Sequence, residues 1–174
     1  MGYTHYYNRP KELDKSTFAL FVADAKKIVA AVEKRGIKLG NWDGKASPSL
    51  TNSKVSLNGV GEDAHESFII PRVFKPSEWQ KPHDDGNYFD FCKTARKPYD
   101  LAVASILLAF KHHFGGVVKV SSDGWYESTQ SHEVEQDQEW NDAIALYREI
   151  LGYDDEWGYD VEGGNIIKKT MVTV

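Results

Sequence analysis

The block Phe91-Cys92-Lys93-Thr94-Ala95-Arg96-Lys97-Pro98-Tyr99-Asp100 sets three cations and a hydroxyl between a β-prone run and an apolar helical stretch. The unpaired amides and positive dipole end of a helix start attract phosphate or carboxylate. Lys93, Arg96 and Lys97 would add direct charge there, and Thr94 a hydroxyl donor. Cations are otherwise misplaced at a helix start, costing from a few tenths to about 1 kcal/mol that a bound anion would reverse. The competing expectation is structural pairing with Asp90, Asp100 or the acidic residues of 131–162.

The opening Tyr3-Thr4-His5-Tyr6-Tyr7, taken as a strand, puts Tyr3, His5 and Tyr7 on one face and Thr4 and Tyr6 on the other. Such rings can stack a base, worth about 1–3 kcal/mol, or serve as ordinary core tyrosines. A Gly-containing loop from Asn58 to Glu66 adds the His65-Glu66 pair, and Ser122-Asp123-Gly124 sets a carboxylate at a strand end. His5, His65, Glu66 and Asp123 would make a metal site only by converging, since adjacent His-Glu lacks ligand spacing. Cys92 reads as a buried, inert thiol. The candidate ligand-binding set is therefore Tyr3, His5, Tyr6, Asn58, His65, Glu66, Lys93, Thr94, Arg96, Lys97, Tyr99 and Asp123, with no metal and no cofactor. The chain has no phosphate-binding loop of the Walker type, no dinucleotide fingerprint, no His-Glu-x-x-His and no Gly-x-Ser-x-Gly.

These residues need elements to hold them. The first ten residues predict a strand. Asp14 or Ser16 caps a first helix whose stripe runs Phe18, Phe21, Val22, Ala25, Val29 and Val32, with Gly36 as its stop. Residues 37–42 predict a short strand, Asn58-Gly59 a turn, and 53–70 a hairpin with a long connection. Residues 74–87 predict a surface loop of the kind that covers sites. Strand 88–92 then leads into a buried core helix over 98–114, apolar nearly all round, with Lys111, His112 and His113 in its last turn. Val117–Val120 predicts a strand, Trp140, Ala143, Ile144, Tyr147 and Leu151 trace a third helix, and 163–174 is a β-prone tail. The order predicts a single α+β domain over 1–174, with a mixed or antiparallel sheet and about three helices.

The 174 residues, 41% hydrophobic, suffice for a core without a staple, and one cysteine excludes an internal disulfide. The polar opening lacks the marks of a signal peptide and no run is long enough to span a membrane, so a cytoplasmic setting is expected. Net charge is −5, but residues 131–162 alone carry 11 acids and one base. The remainder is net positive, which leaves room for a local basic pocket while arguing against extended nucleic acid as a partner.

The opening Met1-Gly2-Tyr3-Thr4-His5-Tyr6, the Asn58-Gly59 and His65-Glu66 loop, the 91–100 block and Ser122-Asp123-Gly124 together resemble a family of uncharacterised proteins carried by bacteriophages and bacteria. That family has Trp where this chain has Tyr7. The resemblance implies a shared fold and a phage or prophage setting, with a bacterial host cytosol as location, and leaves the chemistry open. The leading expectation is a binder that sequesters a phosphorylated small molecule, such as a cyclic nucleotide or ADP-ribose derivative used as an immune signal. One alternative is a hydrolase or phosphodiesterase with His5 or His65 as general acid or base and Glu66 or Asp123 in support. The other is an inhibitor whose acidic 131–162 surface docks a host defence protein. Whether the pocket lies within one chain or between the subunits of a homo-oligomer stays open.

Overall fold

The computed structural model describes residues 2–169. Strand β1 (Thr4–Arg9) leads to α1 (Lys15–Lys34), followed by β2 (Leu39–Gly40), β3 (Ser49–Thr51), β4 (Lys54–Gly59), β5 (Phe68–Pro71) and β6 (Tyr88–Lys93). Then come α2 (Asp100–Phe114), β7 (Lys119–Ser122), β8 (Trp125–Glu127), β9 (Val134–Gln136), α3 (Gln138–Leu151), β10 (Trp157–Asp160) and β11 (Asn165–Lys168). This is an α+β fold, and the strand pairs among the described residues are antiparallel. One sheet runs β6-β1-β7-β8-β9; a second centres on β4, which pairs with β2, β3 and β5; β10 and β11 form a hairpin. No helix among the described residues is long and apolar enough to cross a membrane.

The helices follow from their side chains. Asp14, rather than Ser16, caps α1 by accepting from the Thr17 amide at 2.8 Å, and the stripe Phe18, Phe21, Val22, Ala25, Ile28, Val29 and Val32 is buried. Helix α2 packs against both α1 and α3, and its residues 102–111 are buried all round. It starts at Asp100 rather than at 98, because the amides of Lys97 and Asp100 close successive turns onto the carbonyls of Thr94 and Lys97. Asp137 caps α3 through the Trp140 amide, and Gly152, at φ +71°, ends it.

Two expectations change. Asn58-Gly59 is no turn but the end of β4, where Asn58 is buried with its amide spent on the 65–67 loop. Gly59 is required by proximity: a Cβ there would sit 2.0 Å from the Asp63 carbonyl oxygen and 3.0 Å from the Tyr99 ring. Gly59→Ala should therefore cost about 2 kcal/mol, as overpacking of a tight interior does, read as a lower denaturation midpoint. The expected strand at 117–120 lies at 119–122, since Gly115–Val117 form a single 3-10 turn. Lys111 lies in the last turn of α2 as expected, where it is buried and donates to the carbonyls of Gly115 at 3.0 Å and Val118 at 2.7 Å. The β-prone tail holds β11, and 170–174 lie outside the described residues.

Burial, aided by the nearby charge of Lys119, lowers the Lys111 ammonium from the ordinary lysine range to about 8. The unfolded chain then holds a proton that the folded chain has released between pH 8 and the normal lysine range, so stability rises with pH across that window. Denaturation midpoints at pH 7.5 to 10 should accordingly move in favour of the wild type relative to Lys111→Met. A constant difference would contradict the assignment.

Candidate functional site

The cation block and the Tyr-rich strand meet directly. β1 and β6 are antiparallel neighbours with Thr4 opposite Lys93, and Thr94 and Ala95 both donate their amides to the Tyr3 carbonyl. Ala95 and Arg96 take left-handed backbone angles, φ 51° and 56°. That reversal brings the Arg96 guanidinium over the Tyr3 ring, 4.0 Å from its centre, and into ion pairs with Glu139 at 2.6 Å and Asp137 at 3.1 Å. Asp137 also accepts from the Tyr3 hydroxyl at 2.8 Å. The acidic segment thus supplies the anions facing Arg96, and Arg96 in turn holds the Glu139 carboxyl below its ordinary range. Tyr3, 1% exposed and covered by Arg96, offers no free face to a base.

His5 is fully buried, with Nε2 2.6 Å from Asp100 Oδ1, an oxygen that also accepts the Thr94 hydroxyl at 2.5 Å. Tyr3 and Trp140 present edges to its ring at 5.2 and 5.3 Å. The carboxylate at the start of α2 is therefore the chain's own Asp100, where a helix N-terminus favours negative charge. On the other side of the block, Lys93 gathers the second loop. Its amide donates to Glu66 Oε2 at 2.8 Å, and its carbonyl accepts from the Glu66 amide and lies 2.8 Å from His65 Nδ1. Asn58 takes the His65 amide, and the buried Tyr99 hydroxyl donates to the Glu66 carbonyl at 2.6 Å. Lys97 donates to the Glu62 carbonyl at 2.7 Å. Asp123 accepts the Thr4 amide and the Tyr6 hydroxyl, both at 3.0 Å.

All twelve candidate residues thus lie in one connected neighbourhood, but most of their polar atoms are spent on each other. Among the described residues no group of three or more His, Cys, Asp or Glu side chains is placed to hold a metal ion. His5 and Asp123 are held by Asp100 and by β1 respectively, so the four residues weighed as ligands do not share one point. Cys92 is buried, and burial, then the neighbouring charges of Glu66 and Asp100, push its thiol well up. Lys93 differs from Arg96: among the described residues no carboxylate lies within ion-pairing distance of its ammonium.

Comparison with protein-family models, with curated proteins and with solved structures finds no match. The functional reading therefore comes from the geometry.

Residues absent from the candidate set carry the exposed part of the site. Strand alternation and register place Phe89, Phe91 and Lys93 of β6 beside Tyr6 and Asn8 of β1 on the outer face of the five-stranded sheet, while Tyr7 and Cys92 point into the core. Phe89 is 42% and Phe91 48% exposed, with ring centres 6.0 Å apart. Tyr6 stacks on Phe89 at 6.1 Å with its plane tilted 22°, its hydroxyl fixed by Asp123. Asn8 is opposite Phe89 in register, and its Oδ1 is buried without a hydrogen-bond partner among the described residues. At the end of this ladder the 74–87 loop sets Trp79, 79% exposed, and Lys81 around a cavity of about 210 Å³ that Phe89 and Tyr88 also line. The period-two run Tyr88-Phe89-Asp90-Phe91-Cys92 announced two aromatic positions on one side of a strand. Which side faced the core could not be read, because an aromatic pair is ordinarily buried.

The free edge of β6 is not itself an open template. The Phe91 amide is taken by Asp90 Oδ1 at 2.8 Å and the Lys93 amide by Glu66, so side chains satisfy two of the edge donors that another strand would need.

Proposed function

We propose that this chain is a binding protein for a phosphorylated small molecule carrying a flat aromatic ring, of the nucleotide class, and that it holds the ligand intact. The observation that carries the reading is the ladder Tyr6–Phe89–Phe91 on the outer sheet face, its two phenylalanines about half exposed, with Tyr6 stacked on Phe89 and Phe91 tilted beside it. Single large apolar side chains at a surface are ordinary, whereas a fixed row of rings offers a base two or more faces to stack upon. Lys93 follows Phe91 by two residues, about 7 Å along the strand, and supplies an ammonium free of carboxylate for phosphate. In the phage setting that the sequence resemblance implies, retention without turnover makes such a protein a sink for a nucleotide immune signal. Support for turnover is weaker: His5 is sealed from solvent, and both Asp123 oxygens accept hydrogen bonds from β1.

Calorimetric titration with ADP, ADP-ribose and a cyclic dinucleotide, with chromatography of the recovered ligand, tests this. The expected result is saturable binding of at least one of them, recovered unchanged, and weakened about tenfold or more by Lys93→Ala. Hydrolysed ligand would move the assignment to an enzyme. Absence of binding across the panel, with capture of a basic host protein in a salt-dependent manner, would move it to the acidic 131–162 surface.

A further inference from the structure

We infer that the groove between β9, α3 and β10 is a second binding site, for a small molecule presenting an oxyanion. The groove encloses about 320 Å³ and is lined by Gln136, Asn141, Ile144, Ala145, Arg148 and Trp157. Asn141, Ile144, Ala145 and Arg148 recur at spacings of three, four and seven, so they form one face of α3. The groove shares no lining residue with the aromatic ladder and does not depend on the nucleotide reading.

Its chemistry runs against its surroundings. The segment 131–162 carries 11 acids and one base, yet the single charged residue in this lining is that base, Arg148. The lining also holds two buried donors that no acceptor among the described residues satisfies, Trp157 Nε1 and Gln136 Nε2. Trp157 is only 7% exposed, and its indole can donate but cannot accept. A buried donor without a partner is costly, and native interiors retain few of them; both atoms lie closed to solvent beneath the groove lining, so an acceptor from outside the chain meets them when those side chains turn towards it. The Gln136 amide turns about a soft terminal torsion and can present its N–H groups without backbone movement. Arg148 is steadied by donating one nitrogen to the Asp155 carbonyl at 3.0 Å, which leaves further N–H groups for a ligand. Ile144 and Ala145 supply an apolar floor. An indole N–H, an amide and a guanidinium around an apolar floor suit a carboxylate or phosphate attached to a small organic body, and disfavour a cation.

The test is a nuclear magnetic resonance titration of the ¹⁵N-labelled protein with sodium benzoate and, separately, sodium phosphate, at constant ionic strength. Trp157→Phe assigns the indole resonance. The proposal predicts a saturable downfield shift of that resonance, with affinity lowered at least tenfold in Arg148→Ala while the other indole signals stay in place. Response to benzoate alone assigns a carboxylate ligand and response to phosphate alone a phosphoryl ligand. No movement with either probe at millimolar concentration, or a shift indifferent to Arg148→Ala, would overturn the site. Because Arg148 is exposed, the variant is expected to fold. A native spectrum for Arg148→Ala in the absence of probe confirms that the comparison reads binding and not unfolding.

Discussion

Replacing Arg9 by methionine is expected to lower stability by about 3 kcal/mol, the largest effect of any single substitution considered for this chain. Arg9 is fully buried at the end of β1, and its guanidinium donates to the carbonyls of Pro10, Lys11, Pro71 and Arg72, with no carboxylate among the described residues in ion-pairing contact. Burial depresses it from the ordinary arginine range to about 10, so it remains charged at neutral pH. Its role is to clamp the strand that carries His5 and Tyr6 onto β5 of the second sheet. Methionine fills much of the space but satisfies none of the carbonyls, and the loss corresponds to a fall of roughly 6–12 °C in melting temperature for a domain of this size. Lysine, with one compact ammonium in place of a planar fork, should recover only part of it. A melting temperature within error of the wild type for Arg9→Met would mean that the clamp contributes nothing.

The second large effect concerns binding. The double substitution Phe89→Ala and Phe91→Ala removes two of the three rings of the ladder, each worth about 1–3 kcal/mol to a stacked base, so nucleotide affinity should fall roughly 100-fold. Both rings are about half exposed, so the folded state loses little burial and the melting temperature should shift by only a degree or two. Tyr6→Phe keeps the ring but frees it from Asp123 and is expected to cost less than either truncation. The separation of effects is the content of the prediction. Equal losses of stability and affinity would say that the rings are structural, and an unchanged affinity would remove the ladder from the site.

How much of this was legible in the sequence varies by element. Helix α1 was readable because one stripe and one cap decide it, and α2 because an apolar segment of that length has no alternative to the core. The three-residue strands β3, β8 and β9 were not, since their pairing depends on residues such as Trp125 and Gln136 meeting across a turn that no local pattern announces. Asn58-Gly59 misled because the preference of that dipeptide for turns is local, while the buried amide network of Asn58 and the close approach of Asp63 to Gly59 are tertiary. In the site, the residue types of the 91–100 block and of Tyr3 to Tyr6 marked the right neighbourhood. Pairing with the acidic 131–162 segment was one of the two expectations for these cations, and Arg96 follows it; which acids meet it was not readable, because Asp137 and Glu139 arrive from some forty residues downstream. The ladder itself escaped notice because period-two alternation states which residues share a face but not whether the face is solvent or core.

Native mass spectrometry of the protein purified from bacterial cells with and without active nucleotide signalling, followed by denaturation and analysis of any released small molecule, tests the central claim most directly. The account predicts an intact nucleotide that co-purifies only from the signalling cells and is absent from the Phe89→Ala, Phe91→Ala protein. A bare chain from both sources, or a cleaved product in place of the intact nucleotide, would contradict it.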